Sequence, residues 1–354
     1  MGSSLRIFRI FNILVELHWT FVLFLLFLLF FIGFKSFLFF IIVFFFVLSH
    51  EICHSLVAKA NGIAVERIVL TFFGGMANVD IPENPKLELK MASVGPAFNL
   101  FVFLLGFLAI KLLGLPLADY SQVLESPGVT ALDVLYLIVY VNLMLGLFNI
   151  IPGFPMDGGR MLRSFLALKM DYLRATRLAV EVSHYLVFPL FVLVGLYTGN
   201  VFLIVIPLFL YMASSGELKF ITLKRAFQGM AVGQVAKSDY VHVNSSLTVG
   251  EFLDGFAKPL ERYYVVVDDA KRVIGVLDLR SLVNTRSDVK IGDKIVSDFQ
   301  TLEYSVPLDR SLKRVLDSEF LLVVDGDKVK GYITGEIVVK TLFYYSLRGQ
   351  KNSF

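Results

Sequence analysis

His50, Glu51 and His54 occupy a stretch of sequence where charge has no ordinary place. Every residue from Phe37 to Leu48 is apolar. A charged side chain at the centre of a membrane helix costs roughly 2.5–3.5 kcal/mol on insertion scales. A glutamate between two histidines there calls for compensation, and a bound cation supplies it. His-Glu-x-x-His on a helix sets both imidazoles one turn apart on one face, as zinc requires, and leaves the glutamate beside them to activate a water.

Catalytic zinc takes three protein ligands and keeps one position open, so a third ligand is expected from another segment. Asp157 is the best placed. It follows Asn149-Ile150-Ile151-Pro152-Gly153-Phe154-Pro155-Met156 and precedes Gly158-Gly159. The prolines end regular helix, and the glycines admit close backbone approach. Broken backbone at membrane depth is tolerated only where it is buried or lines a wet cavity. Glu16 and His18 read instead as interfacial residues. Glu181 and His184, three apart, read as hydrogen-bond partners facing a helix bundle. Asp80 and Asp133 read as solvated residues of connections.

These residues need a membrane scaffold. Hydrophobic residues make up 56% of the 354, with 35 Phe, and the long apolar runs fall within 17–220. Residues 228–345 have the mixed charge of a soluble domain. The expected fold is a multi-pass α-helical membrane protein of about six transmembrane helices followed by a soluble α/β domain. The membrane part is expected over 1–222 and the cytosolic part over 228–345. The apolar pattern predicts spans at 17–34, 37–60, 87–113, 130–151, 177–197 and 200–218. Leu5–Val15 reads as a strand or a surface helix, and 61–86 as strands or a hairpin. A net charge of +3 gives no reason to expect nucleic acid, and one Cys excludes an intrachain disulfide framework. The N-terminus shows no cleavage pattern, so the first apolar run is expected to stay as an anchor.

Basic residues set the orientation. Arg6, Arg9, Lys59, Lys86 and the basic residues of 160–177 fall on one side; Lys35 and Lys111 fall on the other. Both termini are therefore expected in the cytoplasm, with His50 and His54 in the cytoplasmic half of the second helix and Pro152–Asp157 at the same depth. The soluble part repeats itself: His242–Asp254 parallels Glu303–Asp317, and Tyr263–Val283 parallels Phe320–Val339. Each copy predicts a capped helix, an apolar strand, a tight turn, a second strand and a helix, and two copies close one core.

On these residues the chain resembles the site-2 protease family of intramembrane zinc metalloproteases. The match is to the branch with a C-terminal CBS region, which includes archaeal members and the bacterial sporulation-factor processing protease. The pairing of His50–His54 with the Asn149–Gly158 string carries the resemblance. Gly95-Pro96 with Asn99, and the pair Gly74-Gly75, match further family elements. The resemblance implies hydrolysis of peptide bonds within or near transmembrane segments of membrane-bound substrates. It implies a zinc ion on His50, His54 and Asp157, Glu51 as base, and Asn149 holding the substrate carbonyl. The implied partners are a substrate helix and the lipid bilayer in the cell membrane. For the CBS pair it implies a regulatory or homodimerising role, with an adenine nucleotide between the repeats.

Family nucleotide sites use a Gly-x-x-Ser/Thr-x-x-Asp run. Here Gly275–Ser281 and Gly331–Ile337 both lack the Asp and only Thr334 keeps the hydroxyl, which weighs against the nucleotide. Cys53 stands where the family usually has a small residue, and reads as packing. Two readings from other classes stand beside the protease. A CBS-regulated membrane transporter would want a polar pathway or inverted repeats, and the six spans show no matching halves. A non-catalytic membrane scaffold is at odds with the intact His50, Glu51, His54 and Asp157.

Overall fold

The computed structural model describes residues 4–71, 74–77, 83–116, 129–259, 261–297 and 299–350. The chain divides into two units, Met1–Lys219 and Phe220–Phe354.

The first unit opens with a hairpin of β1 (Ser4–Ile10) and β2 (Ile13–His18), so the segment Leu5–Val15 is strand, not surface helix. Phe11 and Asn12 make its turn with positive φ. β2 pairs in parallel with β3 (Arg67–Thr71), and β3 antiparallel with β4 (Gly74–Ala77), giving a sheet in the order β1-β2-β3-β4. Ile13 and Ile68 bury one face of this sheet with Ala58 and Met91 of the helices. Glu16 is buried in the sheet. It accepts from Ser4 Oγ at 2.7 Å and faces Arg6 and Arg67.

Helix α1 (Trp19–Phe27) continues through one wide turn to Ile32 and stops at Gly33, whose φ is 121°. Then come α2 (Phe34–Ala60), α3 (Pro85–Leu112), α4 (Ala131–Ile150), the short α5 (Asp157–Ala167), α6 (Tyr172–Thr198) and α7 (Val201–Ala226). Five of them, α2, α3, α4, α6 and α7, are long and apolar enough to cross a membrane. The first expected span falls short of that length because β2 holds the chain as strand through His18. The His18 ring then caps α1, taking the Thr20 amide at 3.4 Å. α6 begins five residues before its predicted start, where the Asp171 carboxylate caps it through the amides of Leu173 and Arg174. α7 runs past its predicted end at 218, since Lys219, Lys224 and Arg225 are good helix formers and no breaker intervenes. Asp133 faces solvent and closes a capping box with Thr130 at the start of α4. Asp80 lies outside the described residues.

The second unit shows the repeat. After a single turn α8 (Val232–Val235), the first copy runs β5 (His242–Asn244), α9 (Val249–Gly255), β6 (Tyr263–Val267) and β7 (Val273–Asp278). The second runs β8 (Thr301–Glu303), α10 (Leu308–Asp317), β9 (Leu321–Asp325), β10 (Lys328–Ile333) and α11 (Gly335–Gln350). Each copy forms a three-stranded sheet whose short leading strand lies parallel to the second. The hydrophobic pattern missed these leading strands because three residues are too few to show alternation. Where a trailing helix is expected, the first copy has only a 3₁₀ turn, Leu279–Leu282. Tyr263, Val265 and Val276 of one copy share a core with Leu322 and Tyr332 of the other.

Candidate metal centre

The sequence of α2 puts His50 and His54 on one face, and the junction between α4 and α5 brings Asp157 to them. α4 ends at Ile150, and Gly158 and Gly159 then pack directly on the backbone of Ile150, Ile151 and Phe154, where any Cβ would collide. This seats the first turn of α5 against the end of α4. Asp157 Oδ2 lies 2.9 Å from His50 Nε2 and 3.0 Å from His54 Nε2, and the two Nε2 atoms are 3.0 Å apart.

The other nitrogen of each ring fixes its proton. His54 Nδ1 lies 2.6 Å from the carbonyl of Met91, which can only accept, so Nδ1 carries the hydrogen. His50 Nδ1 lies 2.5 Å from Asn99 Oδ1. That orientation of Asn99 is set by a relay of amides. Asn142 Nδ2 donates to the Ile138 carbonyl at 2.9 Å, which turns Asn142 Oδ1 toward Asn99, and Asn99 Nδ2 donates to it at 2.9 Å. The amide oxygen of Asn99 is left for His50, whose Nδ1 is then the donor. Two neutral imidazoles protonated at Nδ1 present bare lone pairs at Nε2.

With both rings neutral, three acceptors converge on one buried point, which is repulsive unless a cation stands there. Two imidazole nitrogens and a carboxylate oxygen, all within 4.8 Å of one another, are a zinc donor set. Atoms bound at about 2.0–2.1 Å around a tetrahedral zinc stand roughly 3.3 Å apart, close to the separations found here. Room is reserved as well: a Cβ on Gly95 of α3 would land on both Nε2 atoms. The residues fit the metal.

Glu51 lies among His50, His54, Asp157 and Arg160. Strand β4 crosses close to it, for a Cβ on Gly75 would come within 2.7 Å of Glu51 Cγ. Asn149 sits in the last turn of α4, and its Nδ2 donates to the Leu145 carbonyl of its own helix at 3.0 Å.

The profile of peptidase family M50 matches residues 38–190, and that of the CBS domain matches residues 232–288. The zinc metalloprotease MJ0392 of Methanocaldococcus jannaschii is 31% identical over 355 residues, which cover 98% of each chain. The chain belongs to peptidase family M50. Rip3 of Mycobacterium tuberculosis is 29% identical over 329 residues, 87% of this chain and 81% of its own. A solved site-2 protease from M. jannaschii is 34% identical, with a TM-score of 0.46, over 61% of this chain and 95% of that one. This M50 peptidase is a multi-pass helical membrane protein followed by a CBS pair.

Other residues of the M50 peptidase depart from what its sequence suggests. Asn142 gave no signal, since its role depends on a contact 43 positions away. Glu181 is exposed and His184 does not pair with it. The wide turn Ser183–Val187 shifts the helical phase, and His184 Nε2 meets Ser214 Oγ at 2.7 Å while its ring stacks on Tyr211 at 4.1 Å. Arg160 and Arg163 read as basic loop residues, yet Arg163 is buried and Arg160 Nε is buried with no hydrogen-bond partner among the described residues. Cys53 is half-buried and free.

Proposed function

We propose that this M50 peptidase holds one zinc ion on His50, His54 and Asp157 and uses Glu51 to hydrolyse a peptide bond of a membrane-bound substrate, within or near its transmembrane segment. The convergence of three acceptors, the two imidazoles each held at Nδ1 by a second hydrogen bond, supports this reading. When bound, zinc acidifies a water and polarises the scissile carbonyl. Glu51 takes the proton as the water attacks, then delivers it to the leaving amine. Asn99 and the Met91 carbonyl keep both imidazoles in the tautomer that leaves Nε2 free. Asn149 holds the substrate carbonyl after its amide turns from Leu145.

A substrate helix hides its peptide bonds in its own hydrogen bonds and must unwind before attack. β4 is an edge strand of its sheet and passes beside Glu51. A substrate segment added to that edge as a further strand would be held extended at the site. Proline substitutions through residues 66–79 that leave cleavage unchanged would remove this element.

Residues 1–222 form the membrane protease part and 228–345 the cytosolic regulatory or dimerising part, with both termini in the cytoplasm. An adenine nucleotide at the CBS pair would meet Thr334 but no aspartate at Ile337. Asp278, at the hydroxyl position of the first copy, is engaged by Arg262. Equilibrium dialysis with ATP, ADP and AMP at millimolar concentration decides whether any binds.

The experiment that tests the main reading compares the intact chain with Glu51→Gln in liposomes holding a single-span substrate. About one zinc per chain in both, with cleavage only in the unaltered protein, is the expected result. No zinc in either would overturn it.

A further inference from the structure

Arg163 is the least expected side chain of the membrane unit. Its residue is 3% exposed. Its Nε donates to Glu88 Oε1 of α3 at 2.9 Å, and its Nη2 reaches the same oxygen. Its Nη1 donates to Glu217 Oε1 of α7 at 3.2 Å. The Tyr172 hydroxyl donates to the other oxygen of Glu88 at 3.0 Å. The guanidinium lies 4.7 Å from the centre of the Phe154 ring and 5.0 Å from that of Tyr172.

Arg163 stands on α5, fewer than two turns after Asp157. Phe154, which it covers, is fully buried in the junction that leads into Asp157. Its partner Glu88 stands on α3, the helix that also presents Gly95, the Met91 carbonyl and Asn99 to the imidazoles. One guanidinium thus ties the helix of the carboxylate to the helix that orients both histidines, and to α7 as well.

We propose that Arg163 is a positioning residue for Asp157, and that Glu217 of α7 completes the clamp. The inference rests on the zinc reading of the site. The planar fork of arginine is what serves both carboxylates at once; a lysine keeps the charge without the geometry. A displacement of about 1 Å at a catalytic group costs on the order of 10²-fold in rate, so loss of the fork acts on the metal centre before it acts on the fold.

The test uses the full chain with Arg163→Lys and Glu217→Gln, reading zinc affinity by chelator competition, kcat and KM separately, and thermal melting. For Arg163→Lys the expected result is zinc affinity weakened about tenfold and kcat lowered about tenfold, with KM and melting little changed. Glu217→Gln, at a partly exposed carboxylate, should weaken zinc about threefold in the same pattern. Unchanged zinc affinity and kcat in both variants would overturn the proposal. So would a loss of all readouts in step with melting, which marks a merely structural role. Should Arg163→Lys not fold, Glu217→Gln decides alone. Absence of zinc from the unaltered chain would remove the reading beneath the proposal, and the zinc content itself tells that failure from the others.

Discussion

The buried polar clusters around Arg163 and around Asp157 are balanced differently. Around Arg163 the groups that meet are donors and acceptors: a guanidinium and a phenol on one side, two carboxylates on the other. Around Asp157 all the atoms that meet are acceptors. The first cluster is complete in itself, and the second is complete only around a cation. Both clusters are built on buried carboxylates, so a buried acid alone does not separate an ion-pair cluster from a metal site. Proton placement does, and in the second cluster Asn142, Asn99 and the Met91 carbonyl determine it.

The largest effect should come from giving the metal cluster a donor of its own. Asp157→Asn offers an N–H to the two Nε2 lone pairs, so the fold should stand while bound zinc, counted by atomic absorption, falls to near zero and cleavage is lost. Next is the opposite cluster. Glu88→Gln leaves a buried guanidinium short of charge and should destabilise by about 3–5 kcal/mol. The double variant Glu88→Gln, Arg163→Met should recover most of this in thermal melting but not the zinc affinity. Recovery of both would erase the distinction drawn between the clusters. Third, Asn142→Leu releases the relay that orients His50 and should weaken zinc binding about 10–100-fold by chelator competition.

The smallest effect belongs outside the membrane, at Asp278 and Arg262. Burial pushes the Asp278 carboxyl up, but the Arg262 guanidinium and the Arg280 amide outweigh it and hold the group below its ordinary range. Such a carboxylate contributes stability above its unfolded pKa and loses it as pH falls through the lower folded value. Asp278→Asn should therefore cost about 1 kcal/mol at neutral pH, read as faster amide exchange along β6 and β7. The difference should vanish in acid, where the native carboxyl is protonated too.

Much of this arrangement was legible before any fold was known, because its parts are local. His50 and His54 are one turn apart in any helix, and the prolines and glycines around Asp157 announce a break with close backbone contact. The CBS repeat was readable from its own duplication. What sequence did not show depends on distant contact. Asn142 looks like any polar residue in an apolar helix until Asn99 faces it. Arg163 looks like an orienting loop charge, because nothing local reveals that Glu88 and Glu217 enclose it. The start of α1 was misplaced because Leu17 and His18 pair as strand with β1, a choice made by the sheet and not by hydropathy.

The short first helix has a consequence for the lipid around it. Its regular part of 9 residues and wide turn of 5 reach from Trp19 to Ile32, about 21 Å at the usual rise. The hydrocarbon core of an ordinary bilayer is about 30 Å thick. Mismatch of this kind is relieved by local thinning of the membrane. If α1 crosses the bilayer, the lipid tails beside it must thin toward this length, and cleavage should run faster in liposomes of short-chain lipid than in those of long-chain lipid.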